Sequence, residues 1–514
     1  MEWLFLVVTV VAVGLATILL EIAKVIWWKP LQLKKYFESQ GLEGPPYKLF
    51  YGNAPDIVRM ASQESSKPLT LSDHNIFARV NRAFDQWRKA YGQEFVFWFG
   101  TKPRLFVPHP ELAKEILSSK FGHYKKIQSR PEKRQGLTQL QGEKWAQHRR
   151  ILNPAFRMEL LKGMTPLFVE STVNMLQEWS KLVSLGSKEI DVHKEFGILT
   201  SDVISRTAFG SSYTEGKRIF DLQAQHLVLM FERFRSVQIP GSRFLPTRKN
   251  RQQWWYSKEI RRCIRQVIEG RESAVSNKKA EDYGTDLLGL MMTSNKRQGG
   301  GKLQNMSMTV DEIITECQTF YLAGQETTAT LLTWTIILLG MHQDWQERAR
   351  REVLEVCGKN DFPNADAVNG LKIVGMVLNE CLRLYPPVLG LTRQTYKAMQ
   401  LGRFSIPEGT GLLISILAIH HDPALWGNDV LEFNPERFSQ GFSKAAKHPM
   451  AFMPFGLGPK SCIGQNLSLL EAKVVLAMIL QRFSFVISSH YIHAPVQRIM
   501  LKPQHGAQVI FHTN

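Results

Sequence analysis

Phe455-Gly456-Leu457-Gly458-Pro459-Lys460-Ser461-Cys462-Ile463-Gly464 is the stretch on which the reading of this chain turns. A run with helical periodicity, Gln465 through Leu480, follows it directly. A cysteine just ahead of a helix N-terminus has its thiolate stabilised by unpaired backbone N–H groups and by the helix dipole, which suits it to ligate iron. Without Cβ atoms, the glycines at 456, 458 and 464 let the backbone turn sharply and lie against a flat ligand. Phe455 can then cover the sulfur side. A lone cysteine is ordinarily a small buried hydrophobe, and that is the reading for Cys263, Cys317, Cys357 and Cys381. For Cys462 the glycine spacing reverses it.

The surrounding composition sets the bounds. The 514 residues are 44% hydrophobic and 21% charged, which excludes collagen-like, disordered and polytopic membrane classes. Length alone suggests about three domains, but the even spread of apolar residues favours one large core. The five cysteines form no CxxC pair and are odd in number, so neither a disulfide scaffold nor a zinc ribbon is expected. The formal charge is +18. The basic run from Arg243 to Arg251, with Arg261, Arg262 and Arg265, could suit a nucleic acid. No RRM, KH, C2H2 or basic-zipper pattern accompanies it. It reads instead as a solvated helix face, or as a surface for an anionic membrane or an acidic partner.

Trp3 to Leu20 carry no charge, and at ~1.5 Å per residue they span about 27 Å, near a bilayer core. Residues 1–21 are therefore expected to be a transmembrane anchor. A cleaved signal peptide would begin with basic residues, whereas here Glu2 precedes the apolar run. Lys24, Lys29, Lys34 and Lys35, with Trp27 and Trp28 at interfacial depth, place the body in the cytosol. Residues 22–46, ending in Gly41, Gly44, Pro45 and Pro46, read as a basic Pro/Gly linker, and 47–514 as the body. Phe95 to Phe99 and Arg104 to Val107 read as strands, and helical periodicity dominates from Pro110 to Arg383. Loops are expected at Ser184 to Glu189 and around Gly299 to Lys302, and strands again from Phe404 to Ile416 and near the C-terminus. The expected class is mainly α with small β-sheets.

Ala323-Gly324-Gln325-Glu326-Thr327-Thr328 lies within a long apolar helical pattern, Val310 to Met341. A mid-helix Thr327 can bond the Ala323 carbonyl, and with Gly324 beside it the ladder can open to admit water. In isolation this is a structural kink. Glu380-Cys381-Leu382-Arg383 sets an acid and a base at i and i+3, closed by Tyr385-Pro386-Pro387. Such pairs usually sit in solvent. Trp145 and Arg149 share a helix face ahead of Asn153-Pro154. A guanidinium can fork onto a carboxylate to which the indole N–H also donates.

Together, and in this order, these motifs resemble the cytochromes P450. F-G-x-G-x-x-x-C-x-G resembles the family's haem loop, which implies a haem b with Cys462 as its axial iron ligand and with Phe455, Gly456 and Gly464 against it. The family usually has Arg two residues before the cysteine. Lys460 stands there, a point charge for a haem propionate without the forked geometry of Arg. The 323–328 segment is similar to the family's oxygen-activation motif, implying that Thr327 contacts oxygen or water and that Glu326 relays protons. Phe433-Asn434-Pro435-Glu436-Arg437-Phe438 resembles the segment whose Arg completes a Glu-Arg-Arg network. Glu380, Arg383 and Arg437 are on that basis structural. Trp145 and Arg149 resemble the propionate-binding pair, and Arg393 falls where many members place another propionate ligand.

Phe244-Leu245-Pro246-Thr247-Arg248-Lys249-Asn250 resembles the plant clan acting on terpenoids, hormone-like lipids and fatty acids. The resemblance implies a single-pass protein of the endoplasmic reticulum membrane facing the cytosol. It would oxidise a hydrophobic small molecule, terpenoid or hormone-like lipid, with O2 and NADPH electrons. NADPH-cytochrome P450 reductase would deliver them, with cytochrome b5 as a second donor and no nucleic-acid partner. Part of the basic surface would dock the reductase. Substrate-facing residues are expected before Trp145, near Phe320 and Tyr321, and after Pro387. One rival is a haem-thiolate isomerase or dehydratase acting on a peroxide without a reductase, whose members often lack the acid–Thr pair. Another is a lipid-binding or electron-transfer protein without turnover.

Overall fold

The helix Val310–Met341 is the axis of the molecule. Thr309 and Glu312 start it with reciprocal bonds: the Glu312 N–H donates to the Thr309 hydroxyl at 3.3 Å, and the Thr309 N–H to the Glu312 carboxylate at 2.8 Å. From Thr328 to Gly340 every residue is buried, as an all-round apolar helix requires. Around it pack the helices Val192–Phe209, Lys372–Leu384 and Gln465–Arg482, with Met158–Ser184 on their outer side. Val192–Phe209 is capped by Asp191, whose side chain accepts the His193 N–H, and stops at Gly210 in the left-handed conformation. The computed structural model describes residues 1–119, 123–127, 135–186, 188–211, 213–235, 242–278, 280–296 and 307–513.

A five-stranded sheet lies to one side, in the order Val96–Phe99, Lys102–Val107, Gly411–Ile414, Leu391–Thr395, Tyr124–Lys125. Lys102–Val107 and Gly411–Ile414 run parallel, with Leu105 opposite Leu412, and the other pairs are antiparallel. This sheet matters to the site because Leu391–Thr395 carries Arg393. Glu189–Asp191, Gln508–Thr513 and Phe483–Ile487 form a second sheet. Met399–Leu401 with Phe404–Ile406, and Pro495–Gln497 with Leu501–Pro503, make two hairpins. The chain is mainly α with small sheets. The expected strand region 404–416 divides between a hairpin and the large sheet. Residues 297–306, which contain the expected Gly/Lys-rich loop, lie outside the described residues.

The N-terminal segment is more helical than its composition suggests. Glu2–Ala23 continues through a π-helical turn, Lys24–Trp28, into the helix Lys29–Glu38, so about two thirds of the expected linker 22–46 is helix. Burial explains the difference. Phe37 and Leu42 enter the core beside Val96, Leu105 and Phe404. Tyr36 donates to the Ser405 hydroxyl at 2.9 Å, and Gln40 pairs with both backbone groups of Ser405. Tyr47 OH donates to the Ile26 carbonyl at 2.5 Å. The break comes at Gly41, φ +77°, which ends the helix in the left-handed region. Among the described residues one helix, Glu2–Glu38, is long and apolar enough to cross a membrane, and its apolar window is wholly exposed.

Candidate active site

The loop before Gln465–Arg482 is a tight wrap. The Cys462 N–H donates to the Phe455 carbonyl at 2.9 Å, and Gly458–Lys460 form a 3-10 turn between them. Gly458, φ +73°, is the position where only glycine fits, since a Cβ there would lie 2.4 Å from the Leu117 carbonyl oxygen. Gly464 forms the N-cap of the following helix. Cys462 lies on the wall of an interior cavity of about 340 Å³ that Phe455, Gly456 and Gly464 also line. Burial pushes its thiol up, while the Gly464 N–H and the Arg149 charge pull it down. The helix-terminus effect expected from sequence is therefore present but outweighed by desolvation.

Across the cavity stand Ala323, Gly324, Thr327 and Thr328 of the central helix. The Thr327 hydroxyl donates to the Ala323 carbonyl at 2.6 Å. The helix runs on without a break, so the predicted opening of the ladder is not seen. Gly324 has a different use: a Cβ there would meet Ile204 Cδ1 at 2.6 Å, so its absence lets Val192–Phe209 pack close. Glu326 is not on the cavity wall. Its carboxylate pairs with Lys502 of Leu501–Pro503. Thr327 borders the cavity and Glu326 does not, so the two do not face the same space.

At one edge of the cavity the structure brings Trp145, Arg149, Arg393 and Lys460 together and adds Lys126, which the sequence reading missed. Arg149 donates to the Ser461 carbonyl at 3.0 Å, Lys460 to that of Leu140 at 3.3 Å, Arg393 to that of Thr392 at 2.9 Å, and Lys126 to that of Thr138. Lys460 Nζ sits 5.4 Å from the centroid of the Trp145 ring. Burial, then the Arg393 charge, lowers Lys126 to about 7 and Lys460 to about 8. Arg393 itself is lowered by burial to about 10. Like charges held together in a half-buried edge call for anionic partners.

The walls are apolar. Phe320 stacks on Phe156 with centroids 5.7 Å apart. Leu137 and Thr138 supply the expected face ahead of Trp145, and Pro387, Val388 and Leu391 the face after Pro387. Residues 128–134 of that first segment lie outside the described residues. Tyr321 differs from expectation: it turns away from the cavity and stacks on Phe209 at 3.9 Å. Glu471, on the helix after the cysteine, also borders the cavity. Its burial pushes the carboxyl well above its ordinary value, and Oε1 makes no hydrogen bond among the described residues. No local motif announced it.

Behind the site, Arg383 forks onto Glu380 with both bonds at 2.7 Å, and neither side chain is exposed. The remaining Arg383 donors meet the carbonyls of His420, Val430 and Glu432. Arg437 approaches Glu380 at 3.5 Å and bonds Asp429 and the Trp426 carbonyl. The basic helix Arg248–Ser276 is laced with acids: Arg261 and Arg265 pair with Asp311, Arg262 with Glu259, and Lys249 with Glu232.

A soft sulfur on one side of an apolar slot, a helix on the other, and clustered cations at the edge fit a metalloporphyrin with anionic arms. The comparisons agree. The family model for cytochrome P450 matches residues 69–511. Cytochrome P450 734A1 of Arabidopsis thaliana is 46% identical, covering 99% of this chain and 97% of that protein. Cytochrome P450 CYP72A616 of Paris polyphylla is also 46% identical, over 98% and 97%, and cytochrome P450 709B3 of Arabidopsis thaliana is 43% identical, over 94% and 93%. The solved structure of retinoic acid bound cyanobacterial CYP120A1 superposes with a TM-score of 0.72 at 21% identity, covering 86% of this chain and 96% of that one. The chain belongs to the cytochrome P450 family. It is a plant-type haem-thiolate monooxygenase.

Proposed function

We propose that this monooxygenase is anchored by residues 1–21 in the endoplasmic reticulum membrane, with residues 47–514 as its cytosolic catalytic domain. There it oxidises a hydrophobic small molecule of the terpenoid or hormone-like lipid class. NADPH electrons reach it through NADPH-cytochrome P450 reductase, with cytochrome b5 as an auxiliary donor. The observation that carries the reading is the apolar cavity lying between Cys462 and Thr327. Haem b, when bound, supplies the iron that activates O2 for insertion into a C–H bond.

The residues divide the remaining work. Cys462 holds the iron, and Trp145, Arg149, Arg393, Lys460 and Lys126 hold the propionates. Phe455 shields the sulfur, while Gly456 and Gly464 keep the loop low enough for the ring. Phe320, Leu137 and Val388 exclude water and orient an apolar substrate. Thr327 positions oxygen or water at the cavity, and Glu326 supplies protons from the Lys502 side. Glu380, Arg383 and Arg437 keep the proximal scaffold rigid. A hydroxyl at 327 opposes the peroxide isomerase alternative.

The test is a carbon-monoxide difference spectrum of dithionite-reduced membranes, followed by NADPH consumption with added reductase across a library of terpenoids and lipid hormones. A strongly red-shifted Soret band and substrate-stimulated consumption with a hydroxylated product are expected. Turnover of a hydroperoxide without reductase would overturn the proposal.

A further inference from the structure

Glu316 lies on the central helix two turns ahead of Ala323, and its side chain is completely buried. A buried carboxylate persists only where its oxygens are satisfied. Here the two oxygens serve two different elements. Oε1 is 2.6 Å from Nδ1 of His148, itself unexposed, on the helix Gly142–Leu152. That helix also carries Trp145 and Arg149. Oε2 accepts the backbone N–H of Leu137 at 3.0 Å.

Leu137 belongs to the turn 136–140, in which the N–H groups of Gln139 and Leu140 both donate to the Gly136 carbonyl. This turn faces the cavity with Leu137 and Thr138. It also points its Thr138 and Leu140 carbonyls at Lys126 and Lys460, two of the edge cations. The turn lies against the central helix because residue 136 is glycine. A Cβ there would come 2.2 Å from Thr319 Oγ1 and 3.1 Å from Glu316 Oε2. One carboxylate thus ties together the central helix, the substrate-facing turn and the helix that grips the cofactor edge.

We propose that Glu316 is a positioning residue that fixes the Leu137 wall of the cavity through the turn 136–140 and links it, through His148, to the Trp145–Arg149 helix. It touches neither substrate nor cofactor. It sets which shapes the cavity admits by holding one wall at a fixed distance from Thr327 and Cys462. The proposal deepens the monooxygenase reading and rests on it.

The experiment uses the full chain in membranes and two iron-binding probes, imidazole and a bulky diphenyl-substituted azole. Each is titrated by the shift of the oxidised Soret band. Imidazole needs only the iron, whereas the bulky azole must also fit the wall. For Glu316→Gln, the reduced carbon-monoxide band is expected to stay at the thiolate position. Affinity for the bulky azole should fall about tenfold, the scale of a misplaced hydrophobic contact, with imidazole affinity changed less than about twofold. Leu137→Ala should lower bulky-azole affinity similarly, and the double variant should lose no more than the larger single loss, because both act on one wall.

Equal losses for both azoles, additive losses in the double variant, or unchanged affinities would overturn the positioning role. Should Glu316→Gln fail to accumulate, His148→Phe carries the same comparison, since it removes the ring nitrogen that meets Glu316 Oε1 and cuts the link from the other end. A missing thiolate band in the unsubstituted chain would count against the monooxygenase reading itself, and a normal band with unselective azole binding against Glu316 alone.

Discussion

The Thr327 hydroxyl donates to the Ala323 carbonyl at 2.6 Å, one helical turn back, where the central helix borders the cavity above Cys462. The bond leaves the oxygen lone pairs of the hydroxyl free to accept, so the group can hold a water at the cavity without disturbing the helix.

Thr327→Ala is therefore expected to keep haem and the thiolate-type carbon-monoxide band, since the Ala323 carbonyl retains its helical partner. NADPH oxidation with reductase should continue while product per NADPH falls by about a hundredfold, the lower end of what a positioned proton-transfer group contributes. Simultaneous measurement of NADPH, hydrogen peroxide and product checks it. Unchanged coupling would remove Thr327 from the proton route.

The Glu380–Arg383 fork is buried on all sides. Removing one partner strands a charge, so Glu380→Ala should cost about 3–5 kcal/mol. The expected readout is loss of the thiolate carbon-monoxide band at a lower urea concentration. Arg383→Lys should not rescue, because an ammonium cannot fork onto both Glu380 oxygens while also reaching the carbonyls of His420 and Val430.

The parts of this molecule that could be read from sequence are those written in local spacing. Val310–Met341 shows itself by an unbroken apolar pattern with Thr309 and Glu312 at its start. The cysteine loop shows itself by glycines within ten residues of each other. The Trp145–Arg149 pair is legible because helical geometry alone places both on one face. What stayed hidden depends on contacts between distant segments. Lys126 joins the cation edge only when the strand Tyr124–Lys125 pairs with Leu391–Thr395. Glu316 and His148 meet across 168 positions of sequence. Tyr321 and Phe320 are neighbours in a motif, but a 100° helical step sends one to Phe209 and the other to the cavity. The helix Lys29–Glu38 reads as a linker until Phe37 is seen buried in the core.

Lys460 occupies the site where the family usually has Arg. Its ammonium meets the Leu140 carbonyl and faces the Trp145 ring, and Arg393 adds to the burial that lowers it. Lys460→Arg adds a fork that can bind a propionate while keeping a contact to the loop. The expected result is slower haem transfer to apomyoglobin by about fivefold, the effect of one added hydrogen bond of ~1 kcal/mol. Faster transfer would show that the lysine is fitted to this edge and that the guanidinium is too large for it.

Acid should unfold the body through buried histidines, among them His74, His493 and His420. His74 bonds Tyr385 OH at 2.8 Å, and His493 joins the same hydroxyl at 3.1 Å and Tyr491 at 2.9 Å. His420 Nδ1–H donates to the Arg383 carbonyl at 3.2 Å, and its Nε2 accepts the Met453 N–H at 3.1 Å. Burial lowers His74 and His493 to about 4 and His420 to about 3. A depressed histidine is neutral in the fold and protonated in the unfolded chain between its folded value and about 6.5. The unfolded state then binds more protons, so stability rises with pH across that window and is lost as pH falls from about 6.5 towards 4. Each of the three should contribute close to one proton to the slope near pH 5.5. His493→Gln keeps side-chain hydrogen bonding to Tyr385 or Tyr491 and cannot titrate. Urea unfolding at pH 5.5 and 7.5 should show a stability difference smaller by about 1.4 kcal/mol in that variant, an average of about half a proton over the two pH units, and an unchanged difference would mean that His493 is already protonated in the fold.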